Sequence, residues 1–167
     1  MSPETVAVDQ IEVIPSGFLS VQYEFQSPAG VLGVLSVPAF RQDNTFRDAD
    51  GLEWQMRRRG WWRVRYEMGA EEGLVAIARP RGFWQTALEV AFRNRAYLLE
   101  PISKWSDKWR LSEAAGVPLL EIRRRGALRQ GLIVEVLGPV EVELIAFAVY
   151  LVLTRWQEHA AAAAAGA

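Results

Sequence analysis

From Leu144 to Leu153 the sequence reads LIAFAVYLVL, a run whose only side-chain polar group is the Tyr150 hydroxyl. A helix made of these residues is apolar on every side and has to be wrapped by protein or by lipid. At about 1.5 Å per residue the run rises about 15 Å, half of a bilayer core of roughly 30 Å. Lengthening it to residues 140–156 brings in Glu141 and Glu143 at one end and Arg155 at the other. The run therefore reads as a helix sheathed by protein, and the rest of the chain has to supply the sheath. Pro139 suits a first helical turn, so the helix is expected over residues 139–156. Its opening acids and closing arginine complement the helix dipole, each contributing about 0.3–1 kcal/mol. A buried Tyr150 needs a hydrogen-bond partner.

The text ahead of the helix is β-type. Short runs rich in branched and aromatic residues (FLSVQYEF, VLGVLSV, LEWQMRR, WWRVRYEM, GLVAIAR) are separated by Gly, Pro, Asn and Asp. Asp48-Ala49-Asp50-Gly51 between alternating runs is a strong hairpin signal. In LEWQMRR the apolar Leu52, Trp54 and Met56 alternate with Glu53, Gln55 and Arg57. In WWRVRYEM, Trp62, Val64 and Tyr66 alternate with Trp61, Arg63 and Arg65. Residues 83–100 read as two strands with a turn at Arg93-Asn94-Arg95, with an amphipathic helix as the alternative. Residues 1–16 hold no turn chemistry that fixes them and are expected to be a loosely held arm. The single domain is expected over residues 17–158, followed by an alanine-rich tail, residues 159–167. A chain of 167 residues that is 50% apolar suits one domain with a sizeable core.

The β-type text repeats. Phe40, Phe46 and Gly51 stand 65 residues before Trp105, Leu111 and Gly116. Met56-Arg57-Arg58-Arg59-Gly60 is echoed by Ile122-Arg123-Arg124-Arg125-Gly126. Two similar halves in an all-β text suggest one closed antiparallel barrel, which has no edges to protect. About twelve strands enclose far more space than an eight-stranded barrel, whose own side chains fill it. The apolar helix is the only segment suited to that interior. The fold class is thus mainly β with one central helix.

The paired units FRDADGLEWQMRRRG (46–60) and WRLSEAAGVPLLEIRRRG (109–126), the hairpin ALEVAFRNRAYLLE (87–100) and the closing PVEVELIAFAVYLVLTRW (139–156) give a resemblance to a known family. Over residues 17–157 the chain resembles the tubby C-terminal-like superfamily, which includes tubby, the plant LURP-one-related proteins and the phospholipid scramblases. The resemblance implies a twelve-stranded barrel threaded by a hydrophobic C-terminal helix. For function it implies a non-enzymatic binding or scaffold protein, cytoplasmic or peripheral to a membrane. A scramblase-like, lipid-active membrane protein is the alternative. The chain departs from relatives in having no cysteine for palmitoylation and in having Lys104 and Lys108 as its only lysines.

Read residue by residue, the sequence carries little catalytic chemistry. DNTFRDADG is a hairpin turn rather than a calcium loop, because Phe46 and Arg57 stand where an EF-hand needs its first and last ligands. His159 is the only histidine, and the serines lack a glycine-framed elbow. There is no dinucleotide fingerprint or P-loop. A site built of carboxylates alone remains compatible with the sequence. No catalytic residue, metal ligand or cofactor is expected. The net charge of −1 offers no global attraction for nucleic acid or an anionic membrane, so binding to either requires a local patch. Arg57, Arg59, Arg63 and Arg65, beside Trp61, are the candidate patch for an anionic ligand, above all anionic phospholipid. Nucleic acid is a weaker candidate, and no protein partner is named by the residues. The alternative is a solvated outer face on which these arginines pair with Glu53 and Glu67.

Overall fold

The computed structural model describes residues 9–17, 20–38, 43–82, 86–103, 107–126 and 130–166. Twelve strands, β1 (Gln10–Ser16), β2 (Ser20–Ser27), β3 (Gly30–Pro38), β4 (Asp43–Asp48), β5 (Glu53–Arg59), β6 (Arg65–Ala70), β7 (Gly73–Arg81), β8 (Ala87–Phe92), β9 (Arg95–Pro101), β10 (Trp109–Glu113), β11 (Pro118–Arg124) and β12 (Leu132–Val136), precede one helix, α1 (Val142–Ala165). Each strand pairs antiparallel with its sequence neighbour, and β1 pairs with β12 to close the barrel.

The strands form where apolar residues alternate. In β5, Trp54 and Met56 face the lumen while Gln55 and Arg57 face out. The β8–β9 hairpin turns through Arg93 and Asn94, both at positive φ, which gives a two-residue loop the right-handed strand twist. The strand reading of residues 87–100 holds, and the helical alternative does not.

Two boundaries differ from the sequence expectation. Residues 10–16 are not a loose arm: they form β1, with Ile11 and Val13 in the core and Val13 opposite both Leu132 and Phe25. Without β1 the ladders of β2 and β12 would end as open edges. Pro15, which argues against a central strand, sits near the end of β1. The helix starts at Val142 rather than Pro139 and continues through the alanine-rich tail to Ala165. Alanine has the highest helix propensity, so the tail extends a helix already nucleated inside the barrel.

The lumen is filled by α1. Residues 142–152 are buried on every side against inward residues such as Phe25, Leu35, Met68, Leu99 and Ile122. Phe25 meets Phe46 edge-on at 5.3 Å between ring centroids, and Tyr66 meets Tyr150 edge-on at 6.3 Å. The Tyr150 hydroxyl lies against Asn44 and Thr154, and burial pushes its pKa well up.

The repeat is structural. β4 and β10 stand six strands apart, as do β5 and β11, so the paired units face each other across the barrel. Phe46 and Leu111 both point into the core, as do Met56 and Ile122. Gly51 and Gly116 close equivalent turns at φ +87 and +85. In the first, the Asp48 carboxylate accepts the Leu52 N–H at 2.9 Å. Phe40 and Trp105, the first pair of the repeat, lie outside the described residues.

Candidate functional site: the mouth where the helix leaves the barrel

Antiparallel order gives the barrel two unlike ends. Odd strands run toward one end and even strands run back, so α1, which follows β12, enters at the end of the short turns and leaves at the other. That exit, the mouth, also carries the β5–β6 loop, residues 60–64. Gly60 sits at φ +80, and a Cβ there would lie 2.4 Å from the Arg63 carbonyl oxygen, so the loop needs glycine. Val64 packs back against the core. Between these two anchors stand Trp61 and Trp62, 87% and 92% exposed, with rings stacked at 6.5 Å and 17° between planes.

The loop corrects one expectation. Trp62 was expected inside and Arg63 on the outer strand face, but β6 begins only at Arg65, opposite Arg59. Strand alternation does not carry across the five loop residues, and both indoles project from them. The outer face gathers Arg57, Arg59 and Arg65. Arg59 and Arg65 clamp Glu67, with Nε–O distances of 3.7 and 2.6 Å, and Glu67 is only 10% exposed in its side chain. Arg57 stands opposite Glu67 in register, pairs with Asp43 at 3.5 Å and lines a shallow groove with Gln55, Gly69 and Leu74. Glu53 pairs with Arg47 rather than with the patch. Arg63 is exposed on the tryptophan loop and has no ion pair among the described residues. The five expected residues thus divide into a charge-compensated wall and a loop whose Arg63 has no ion pair among the described residues.

Sequence alternation carries a second signal in β5. Arg58 shares the inward parity of Trp54 and Met56, so at the mouth it turns over the departing helix. Its Nε donates to Glu158 Oε1 at 3.2 Å. The Tyr66 hydroxyl donates to both Glu158 oxygens at 3.0 and 3.2 Å, and Arg155 Nη1 donates to Oε2 at 3.0 Å. Burial, then the Glu158 charge, holds the Tyr66 phenol above its usual range, so it remains a donor. Across the mouth, Arg124 in the second Arg-Arg-Arg-Gly unit lies over the Trp156 ring at 4.5 Å and pairs with Asp107 at 3.3 Å.

Charge follows the same polarity. Among the described residues, Arg58, Arg59, Arg63, Arg65, Arg81, Lys108, Arg124, Arg125 and Arg155 outnumber Asp43, Glu100, Asp107 and Glu158 at the mouth, and still do when the ion-pair partners Glu12, Glu67 and Glu89 are added. At the turn end, Asp48, Asp50, Glu53, Glu71, Glu72, Glu113, Glu141 and Glu143 outnumber Arg47, Arg93 and Arg95. The net charge of −1 hides this separation.

Among solved structures, a protein of Arabidopsis thaliana, AT5G01750, superposes with a TM-score of 0.58 at 13% sequence identity, covering 86% of this chain and 89% of that one. What the two share is the fold. No family model matches the sequence, and neither does any curated protein. Among the described residues no helix is long and apolar enough to cross a membrane.

Proposed function

We propose that this protein is a non-enzymatic binding protein of the tubby-like barrel type that docks its mouth on anionic phospholipid surfaces. The observation that carries this reading is the stacked Trp61–Trp62 pair, exposed on a loop flanked by Arg59, Arg63 and Arg65. Two adjacent indoles facing water are costly to maintain without a use, and indoles favour the membrane–water interface. Guanidinium groups match phosphate geometrically, and each basic residue near an anionic leaflet contributes about 1 kcal/mol. The Arg57–Asp43 pair is exposed on both sides and weak enough for lipid phosphate to compete with Asp43, while Arg59 and Arg65 stay half-exposed over the mostly buried Glu67. The barrel wall covers residues 142–152 of α1, which supports a peripheral contact over a bilayer-inserted, scramblase-like one. The closed barrel, its central helix and its duplicated halves support placing the chain in the tubby-like superfamily.

Vesicle co-sedimentation tests the reading. Wild type is expected to bind phosphatidylcholine vesicles containing phosphatidylserine, to release them at high salt, and to ignore vesicles of phosphatidylcholine alone. Trp61→Ser/Trp62→Ser is expected to lose about tenfold or more in affinity, roughly 1.4 kcal/mol, with its urea midpoint unchanged. Equal, salt-resistant binding to both vesicle types would mean that α1 inserts. No binding to either would remove the membrane from the reading.

A further inference from the structure

The duplicated Arg-Arg-Arg-Gly unit does something at the mouth that the outer patch does not explain. Its two middle arginines, Arg58 and Arg124, both turn inward over the helix, but they hold it differently. Arg124 covers an indole, whereas Arg58 meets a carboxylate that also accepts from Tyr66 and Arg155. Seating the helix therefore does not in itself demand an acid. The geometry points to Arg58, Tyr66 and Arg155 as a phosphate-binding cradle whose place is taken, in the free protein, by the carboxylate of Glu158.

Three features carry this inference. The donors come from three segments, β5, β6 and α1, and converge on one pair of oxygens, an arrangement that serves a phosphate monoester as well as a carboxylate. The cradle opens to solvent on its Arg58 side, where the Arg58 side chain is 48% exposed and that of Glu158 30%, while Arg155 at 11% and the buried Tyr66 form its floor, so the Arg58–Glu158 pair is screened and the carboxylate is the group that can leave. It also lies at the base of the tryptophan loop, since Arg58 precedes Gly60 by two residues and Tyr66 is paired with Arg58 in register. A dianionic phosphate brings more charge to Arg58 and Arg155 than the single charge of Glu158. Once it enters, Glu158 leaves, and the last turns of α1 lose their tie to β5 and β6. By linkage, whatever loosens that end of the helix favours the anion. Phosphate on a lipid headgroup and free phosphate offer the same chemistry. The headgroup source rests on the membrane docking proposed above.

The test uses Glu158→Gln, which keeps an oxygen to accept from Tyr66 but removes the competing charge. Asp107→Asn removes an equivalent acid of the same mouth, paired with Arg124 rather than Arg58, and measures the generic effect of one charge. A fluorophore on Ala163→Cys, in a chain with no other cysteine, reports the helix end. Against vesicles containing phosphatidic acid, Glu158→Gln is expected to bind about three- to tenfold tighter than wild type and Asp107→Asn less than twofold tighter. Adding Arg58→Gln to Glu158→Gln should cancel the gain. In wild type, the vesicles should shift the Ala163→Cys signal toward that of Glu158→Gln. A matching shift with soluble pyrophosphate would assign free phosphate as a source, and a shift with vesicles alone would assign the headgroup. Equal gains in Glu158→Gln and Asp107→Asn would overturn the cradle and leave membrane docking standing. Pyrophosphate binding without vesicle binding would do the reverse. No response to either probe would end both.

Discussion

The two ends of the barrel treat the same helix in opposite ways. At the turn end, α1 begins deep among apolar side chains, and Arg93 bridges Glu141 and Glu143 at 3.1 and 3.4 Å while lying near Trp54 and Phe92. At the mouth, residues 153–156 are half-buried, the helix is tied by exchangeable polar contacts, and residues 159–165 stand in solvent. One element is thereby held among apolar side chains at one end and by polar contacts at the other. A closed barrel permits this because every strand satisfies its backbone without help from a partner, leaving the mouth free to carry chemistry that contributes little to stability.

The largest expected effect tests that division directly. Phe147→Ala empties space in the middle of the filled lumen and should cost about 3–5 kcal/mol in urea unfolding. Trp156→Ala removes a ring of similar or greater size from the half-buried segment and should cost roughly 1–2 kcal/mol, since much of its surface already meets water. Equal costs would show that the mouth anchors the helix as firmly as the lumen does. A smaller contrast is expected between the arginines. Arg93→Ala leaves two mostly buried carboxylates facing one another and should cost roughly 2 kcal/mol. Arg58→Ala should cost less than about 1 kcal/mol, because its pair with Glu158 is half-exposed. If Arg58→Ala proved the more damaging, the contacts at the mouth would be structural and not exchangeable.

What was legible in the sequence follows from which signals are local. The hairpins were legible because Asp-Gly and Arg-Asn turns sit between runs of period two. The helix was legible because ten residues with one polar group have nowhere else to go, the closed barrel was legible in the internal repeat, and the resemblance implied its twelve strands. β1 was hidden by Pro15 and by a partner, β12, more than a hundred residues away, so nothing local announced the pairing. The site was half legible. Arg57 and Arg59 were placed correctly on the outer face. Trp62 and Arg63 were not, because extending strand alternation past Gly60 treats a loop as a strand. The polarity of charge was invisible in a net value of −1, although it is implicit once both Arg-Arg-Arg-Gly units are seen to end strands that run the same way.

The smallest expected effect concerns the turn end and the acids that enter it. Burial raises the Glu143 carboxyl above its ordinary range, against the opposing pull of its own backbone hydrogen bond and of Arg93. The folded state therefore holds the Glu143 proton more tightly than the unfolded chain does. That preference is fully present below the unfolded carboxylate range, near about 4.3, and is lost as pH rises through the higher folded value. Glu143→Gln has no such proton, so wild type should lose stability relative to the variant as pH rises from about 4 toward neutrality. Parallel urea titrations of the two proteins across that interval measure the difference while cancelling the carboxylates they share. A gap that widens in the other direction would mean that Arg93 outweighs burial. The turn end would then hold its helix through an ion pair, as the mouth does, and the contrast between the ends would rest on the apolar lumen alone.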